Sequence, residues 1–292
     1  MRNLGLTTIC IGLLLVACNE DYSEVHGDRS VPTRITVGTE LSTTSRVHLD
    51  EELHSAWNEG DALSLFHFSD GNSLYRYMGE DGARYGCFVL ESEGQATSSM
   101  EYAVALYPYS DKYTLNNSER YIMAKYAATQ HYAAGSFGSD ASLMASVSRN
   151  EEHTLKHLCG WLVIELYGTA TVKSIVVRGR NNEQLAGDVK LYYDDLSTKL
   201  LYTPPTDDDE QLGGTLINGD YKPRVTLDCG DGITLDSDTP TPFFIALPPQ
   251  NYTKGIRAII TLGDDSTVEL ISSGGIVIER NHIKYMESVE LI

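Results

Sequence analysis

The chain consists of short apolar runs, most of which alternate between apolar and polar residues. In "IRAIITL", residues 256–262, every second residue is apolar, and Arg257 and Thr261 fall between these positions. A period of two places successive side chains on opposite faces of a β-strand. The alternation resumes at 267–271 after the turn residues "GDDS". This arrangement predicts a β-hairpin.

Clusters of Gly, Asp, Asn and Pro separate most of the other apolar runs, and clear helical periodicity is nearly absent. Spacing of this kind predicts an all-β fold made of sandwiches rather than βαβ units. One segment, 118–130, has a composition that also suits a helix and is left ambiguous. The remaining expected strands are 33–37, 61–68, 101–107, 158–167, 172–178, 185–193, 224–229, 243–247 and 285–291.

The first residues have the form of a secretion signal. An apolar run too short to span a bilayer ends in "LVAC", which resembles the lipobox of bacterial lipoproteins. The sequence therefore predicts a signal peptide at 1–17, lipidation of Cys18 and a polar tether at 18–30. Acidic residues directly after Cys18 resemble a surface-export signal, so display on the outer face of the outer membrane is expected. The alternative is an ordinary tether on the periplasmic face.

Length and charge narrow the class of protein further. The chain has 292 residues, 22 Lys and Arg, 41 Asp and Glu, and a net charge of −19. This acidity disfavours nucleic acid and anionic lipid as partners. The length fits one large or two ordinary domains. A polar stretch at 146–153 predicts a boundary between an N-terminal domain, 31–150, and a C-terminal domain, 151–292.

No residue stands out as catalytic, and no cofactor is expected. His153 and His157 are four residues apart, a metal-ligand spacing on a helix, but His157 leads into an expected strand and a structural role is favoured. The acidic segments 207–210 and 228–238 could collect oxygens around calcium, but neither follows the EF-hand order, so we expect solvated loops and no metal site. Three cysteines remain after the signal region, without CxxC spacing, which favours buried thiols.

Seven segments in order resemble the fimbrillin-like surface lipoproteins of Bacteroidales, a family that includes subunits of type V pili. The most specific residues are Trp57, Gly60 and Asp61 in a Trp-x-x-Gly-Asp core, and a Tyr-Pro-Tyr strand end at 107–109. Asn281 and Tyr285 match positions in the family's last strand. The segments are 56–66, 102–110, Gln130 with 141–146, 155–166, 185–189, 243–249 and 278–291.

The resemblance implies two tandem transthyretin-like (Greek-key) β-sandwich domains and an assembly mechanism. A protease removes the first strand, and a strand from another pilin subunit pairs into the groove that is left. Here the first strand would be 31–41. The candidate cleavage lies between Arg46 and Val47, although Arg46 could equally be an ordinary loop charge. The chain ends directly after the family's last core strand, which favours a tip or accessory subunit over a stalk subunit.

The leading hypothesis is therefore a lipid-anchored structural subunit of a fimbrium that serves adhesion at the cell surface. The alternative is a surface lipoprotein that binds a glycan or a host protein and never polymerises, keeping 31–41 in the mature chain. An enzyme would need convergent carboxylates or a metal, which the sequence does not indicate.

Overall fold

The computed structural model describes residues 31–40, 56–194, 199–201, 215–216 and 221–292. In the first part of the chain the strands are β1 Arg34–Thr39, β2 Ala62–Phe66, β3 Asn72–Tyr77, β4 Tyr85–Ser92, β5 Ala103–Tyr107, β6 Thr114–Asn116, β7 Tyr121–Tyr126, β8 Thr129–Ala133, β9 Ser136–Phe137 and β10 Met144–Ser148. A short 3-10 helix, Ser139–Ala141, lies between β9 and β10. The all-β prediction is confirmed.

The second part of the chain continues with strands alone among the described residues. They are β11 Glu152–His157, β12 Gly160–Gly168, β13 Thr171–Gly179, β14 Gly187–Asp194, β15 Lys199–Leu201, β16 Thr215–Leu216, β17 Val225–Thr234, β18 Thr241–Leu247, β19 Gln250–Tyr252, β20 Ile256–Leu262, β21 Thr267–Ile271, β22 Ile276–Ile278, β23 Ile283–Tyr285 and β24 Val289–Leu291. The part of the chain that the structure describes has no helix long and apolar enough to cross a membrane.

Seven strands form a closed sheet in the order β1-β11-β10-β5-β2-β3-β4, with β4 returning to β1. The neighbours are antiparallel except β1 and β11, which run parallel. The predicted domain boundary at 150/151 falls in the turn between β10 and β11, which pair with each other in this sheet. The division into two transthyretin-like domains stays a prediction.

The other strands form two large sheets and two smaller ones. One large sheet has the order β21-β20-β13-β17-β8-β9, and the other joins β15, β14, β7 and β6, with β16 on β14. A smaller sheet has β12 between β18 and β23, with β24 also on β12, and β19 pairs with β22. The ambiguous segment 118–130 contains β7 and the first two residues of β8, and the burial of β7 alternates with a period of two rather than along a helical stripe.

Two apolar cores fill the molecule. One lies within the closed sheet and includes Ile35, Val37 and Trp57, and a larger one lies among the remaining sheets. Strand β5 is buried on both faces: Ala105 belongs to the first core and Leu106 to the second. Burial on both faces explains why the sequence of β5 is continuously apolar instead of alternating.

Two histidines of β11 point into the interior. His153 Nδ1 lies 2.7 Å from Ser146 Oγ, and His157 Nδ1 lies 3.0 Å from Ser142 Oγ. Both side chains are buried and bonded to serines, so they are structural, as the sequence analysis favoured. Burial, and the neighbouring His67, lower the pKa of His153 to about 4. Burial, and the charge of Arg280, lower the pKa of His157 to about 3.

These depressed pKa values predict acid sensitivity. The unfolded state binds more protons than the folded state at these histidines, so their stabilising contribution is complete above about pH 6.5 and is lost as the pH falls towards 4 and 3. Each histidine should contribute up to about 1.4 kcal/mol per pH unit to the loss over that range. Urea unfolding at a series of pH values measures this slope.

The exposed His131 provides a control of opposite sign. Its hydrogen bond to Asp140, 2.6 Å long, and the charge of that carboxylate raise its pKa, so its stabilising contribution is present below the unfolded pKa and is lost as the pH rises. His131→Asn should leave the acid slope intact, whereas His153→Asn should reduce it. An unchanged slope in His153→Asn would contradict the assignment.

Candidate functional site

Strand β1 lies within 31–41, the segment that the family resemblance assigns to strand exchange. It lies between β4 and β11, and Thr36 N donates to Glu151 O at 3.0 Å while Leu90 N donates to Thr33 O at 2.9 Å. Its sequence, "RITVGT", has β-branched residues that favour an extended backbone. Ile35 and Val37 face inward and are almost fully buried. Both the backbone and the apolar face of β1 are therefore engaged.

Two large side chains in the core also hold the backbone of the 31–40 segment. Trp57 Nε1 donates to Val37 O at 3.1 Å, and Tyr75 Oη donates to Pro32 O at 2.6 Å. Trp57 is buried and makes an edge contact with the ring of Phe88, with 5.0 Å between centroids. Without β1 the indole N–H of Trp57 would lose its carbonyl acceptor. We call the core side chains under β1, with Trp57, Tyr75 and Phe88 among them, the floor; they fit an extended chain.

A largely buried ion pair follows the end of β1. The guanidinium of Arg280 pairs with the carboxylate of Glu40, and both side chains are only slightly exposed, at 11% and 13%. The same carboxylate accepts a hydrogen bond of 2.7 Å from His157 N, and Arg280 Nη1 donates to His157 O at 3.2 Å. Burial raises the pKa of Glu40, against the opposing effect of Arg280. This Glu40–Arg280 pair links β1 to residues 240 positions away.

Residues of the first two resemblance motifs meet beside β1. Tyr107 Oη donates to Asp61 Oδ1 at 2.8 Å, and Asp61 Oδ2 accepts from Asn58 N at 2.8 Å. The rings of Trp57 and Tyr107 make an edge contact at 5.4 Å. Gly60 has φ of +90°, a conformation that favours glycine. These residues form one cluster that holds Trp57 under Val37.

Two later motif residues also have structural roles. Gln130 is buried, and its amide pairs with the backbone of Ala246, donating to the carbonyl at 2.8 Å and accepting from N at 2.9 Å. Asn281 has φ of +56°, and its N donates to Cys159 O at 2.9 Å. The motifs therefore fix packing and backbone geometry in the described residues.

The predicted lipidation site, Cys18, and the predicted processing site, Arg46 and Val47, lie outside the described residues. Both stay predictions. Glu40 is the last described residue before the processing site, so the ion pair lies six positions from Arg46 in the chain. No local sequence pattern indicates the pairing of Glu40 with Arg280, since single charged residues carry no signal of pairing over such a separation.

The acidic segment 228–238 is engaged in its own turns. Asp228 Oδ1 accepts from Gly230 N at 2.9 Å, and Asp236 Oδ1 accepts from Asp238 N and Thr239 N, each at 2.8 Å. Segment 207–210 lies outside the described residues. Within the described ranges, no group of three or more His, Cys, Asp or Glu side chains is placed to hold a metal ion. Cys159 and Cys229 are buried, and Cys87 is partly buried.

One solved structure has the same overall fold as this chain. A protein from Bacteroides ovatus, described as a "putative cell adhesion protein", aligns over 90% of this chain and 93% of its own, with a TM-score of 0.51 and 13% identity. The two chains share a fold. At this identity the likeness concerns the fold alone. No protein-family model and no curated protein matches the sequence.

Two further structures align over most of their length with lower scores. A "putative cell adhesion protein" from Bacteroides fragilis covers 88% of this chain and 93% of its own, with a TM-score of 0.40 and 12% identity. The tip fimbrial protein Mfa3 from Porphyromonas gingivalis, with a C-terminal truncation, covers 86% and 94%, with a TM-score of 0.33 and 10% identity. These scores are too low to support an inference.

Breaking the Glu40–Arg280 pair should loosen β1. Arg280→Gln leaves a largely buried carboxylate without its cation, and we expect a loss of about 3 kcal/mol in the free energy of unfolding. Hydrogen exchange at the amides of β1 should accelerate more than exchange in β20. The double variant Glu40→Gln/Arg280→Gln should recover part of the loss, because the uncompensated charge is gone.

The exposed pair Lys173–Asp265, 2.8 Å apart, provides the matched control. Asp265→Asn should change stability little, because solvent screens exposed pairs. If β1 exchanges at the wild-type rate in Arg280→Gln, the ion pair does not hold the strand.

Proposed function

We propose that the protein is a fimbrillin-like surface lipoprotein and a non-enzymatic structural subunit of a fimbrium. In this proposal Cys18 carries the lipid that anchors it in the outer membrane, facing outward. The subunit joins other pilin subunits by β-strand complementation and serves adhesion to a host protein or glycan. Its position in the fibre is at the tip or in an accessory place rather than in the stalk.

The placement of β1 is the observation that carries the proposal. An extended segment with two buried apolar side chains closes a sheet, and it precedes the candidate cleavage site by only a few residues. Removal of 31–46 would leave β4 and β11 as two unpaired edges around an apolar floor. Such a groove binds an extended strand through main-chain hydrogen bonds and alternating side chains. Keeping β1 in place before assembly would prevent uncontrolled pairing.

The fold shared with the Bacteroides ovatus protein, described as a "putative cell adhesion protein", supports the adhesive part of the proposal. β24, Val289–Leu291, pairs in parallel with β12 of its own chain, with Leu166 opposite Val289, so this strand belongs to the subunit's own sheet.

A second candidate is a surface lipoprotein that binds a glycan or host protein and keeps β1 permanently. The Glu40–Arg280 pair favours it, because releasing β1 after cleavage would separate a largely buried acid from a largely buried base. Such separation is costly, and a permanent strand would avoid it. The two candidates differ in the N-terminus of the mature chain.

Mass spectrometry of intact chains recovered from the cell surface distinguishes the two candidates. Strand exchange predicts chains that begin at Val47 in the assembled material and none of that form in an Arg46→Gln variant. Arg149→Gln, a change at an arginine that is exposed in the turn between β10 and β11, should leave processing unchanged. If every chain begins at a lipidated Cys18, the proteolytic model is wrong, and the second candidate, which keeps β1, is supported.

A peptide competition tests the groove itself. After cleavage by an arginine-specific protease, a synthetic peptide of residues 31–41 should rebind and block assembly into higher oligomers. The same peptide with Val37→Asp should not, because burying a carboxylate at that position is unfavourable. Equal inhibition by both peptides would show that binding in the groove does not depend on the apolar side chains of the peptide.

A further inference from the structure

The outer face of the sheet β21-β20-β13-β17 carries a row of arginines at one end. Arg178 in β13 is the register partner of Arg257 in β20, whose partner on the other side is Ile271 in β21. Arg224 immediately precedes β17, and the register of β13 and β17 places it beside Arg178. Directly opposed residues on antiparallel strands point to the same face. Three guanidinium groups therefore share one end of this face.

The arginine row borders a cleft with a volume of about 360 Å³. Arg178 and Arg257 line it together with Arg180, Asn182 and one carboxylate, that of Glu269. Ile271, 52% exposed, adds an apolar surface beside the charges. We name this group of residues, with Arg224, the arginine cleft. It lies on a different sheet from β1.

The charges of the arginine cleft are poorly compensated. Arg257 Nη2 lies 2.7 Å from Glu269 Oε2, but among the described residues no carboxylate forms an ion pair with Arg178, Arg180 or Arg224. Like charges directly opposite on neighbouring strands are destabilising. In a chain with 41 acids and 22 bases, unpaired arginines gathered at one place indicate a site for an anion.

The size and geometry of the row restrict the anion. Guanidinium groups present a rigid fork of donors that matches carboxylate and sulfate oxygens. Strands lie about 4.8 Å apart, so the row from Arg224 to Arg257 spans roughly 10 Å. That span suits a group on one or two sugar rings. The net charge of −19 repels a long polyanion such as nucleic acid.

The backbone around the row favours a saccharide over a peptide. β13 is paired on both sides, with β17 and β20, and β20 is paired with β13 and β21. An extended peptide pairs its main chain with an open edge, and the nearest edge strand of this sheet is β21, two strands away from Arg178. A saccharide needs only side-chain donors for its oxyanion and hydroxyl groups, and arginine supplies five per side chain.

We propose that the arginine cleft binds an acidic saccharide through a carboxylate or sulfate group on one of its sugar rings. This inference rests on the adhesive part of the proposed function and names its ligand class, but it does not depend on strand exchange. Arg178, in the middle of the row, contacts the oxyanion, and Arg224 and Arg257 flank it.

Titration calorimetry of the purified full-length chain tests the proposal at low salt. The probes are 3′-sialyllactose, N-acetylglucosamine 6-sulfate, neutral lactose, sodium acetate, sodium sulfate and tri-glutamate. One of the two charged saccharides should bind at least about tenfold more tightly than lactose, and the affinity should fall as salt is added. Which saccharide binds more tightly distinguishes carboxylate from sulfate as the recognised group.

Variants locate the site. Arg178→Gln and Arg224→Gln should each weaken the affinity at least about fivefold, and Arg178→Lys should weaken it less because the charge remains. Arg149→Gln, an exposed arginine in the turn between β10 and β11, should leave the affinity unchanged. The thermal unfolding temperature of each variant should not fall below that of the wild type, since all these side chains are exposed and the row holds opposed like charges.

Several outcomes would overturn the proposal. The proposal is wrong if lactose binds as tightly as the charged saccharides. It is also wrong if acetate or sulfate alone binds as tightly as the saccharide that carries that group, or if tri-glutamate binds more tightly than both charged saccharides. An equal loss of affinity in Arg149→Gln would also refute the location. Failure of cleavage at Arg46 would refute strand exchange while leaving saccharide binding intact, so the two failures are distinguishable.

Discussion

The closed sheet depends on one constraint: β1 must lie between β4 and β11 to complete it. Ile35 and Val37 complete an apolar interior, and Trp57 directs its one polar atom to the carbonyl of Val37. An indole N–H buried without an acceptor would be costly. The same strand satisfies the backbone groups of β4 and β11. One six-residue strand therefore completes the apolar core, supplies the hydrogen-bond acceptor for Trp57 and closes the sheet.

The influence of β1 extends beyond its own sheet through two kinds of contact. β5 is buried on both faces and belongs to both cores, so packing in one core constrains the other. The Glu40–Arg280 pair adds a polar connection from the end of β1 to the segment that leads into β23. The end of β1 therefore contacts the C-terminal part of the chain through the Glu40–Arg280 pair, and the two cores meet at β5.

The sequence predicted the strands whose alternation is clear, such as β20 and β21, and it missed those whose inward positions are polar. In β11, "EHTLKH", the buried positions are His153, Leu155 and His157, so two of three inward residues do not register as apolar. The expected strand 285–291 is divided into parts of β23 and β24. The Glu40–Arg280 pair and the arginine cleft arise from registers between distant strands, which no local pattern encodes.

The mixed pairing of β1 bears on the polarity of any strand that replaces it. β1 runs antiparallel to β4 and parallel to β11, so a substitute entering in either direction would again have one neighbour of each kind. Backbone pairing alone is therefore nearly indifferent to direction. Side chains must therefore determine the direction in which a replacing strand enters. They are the apolar residues that pack on the core and an acidic residue at the end nearest Arg280. A fibre built this way would take its head-to-tail order from a few side chains.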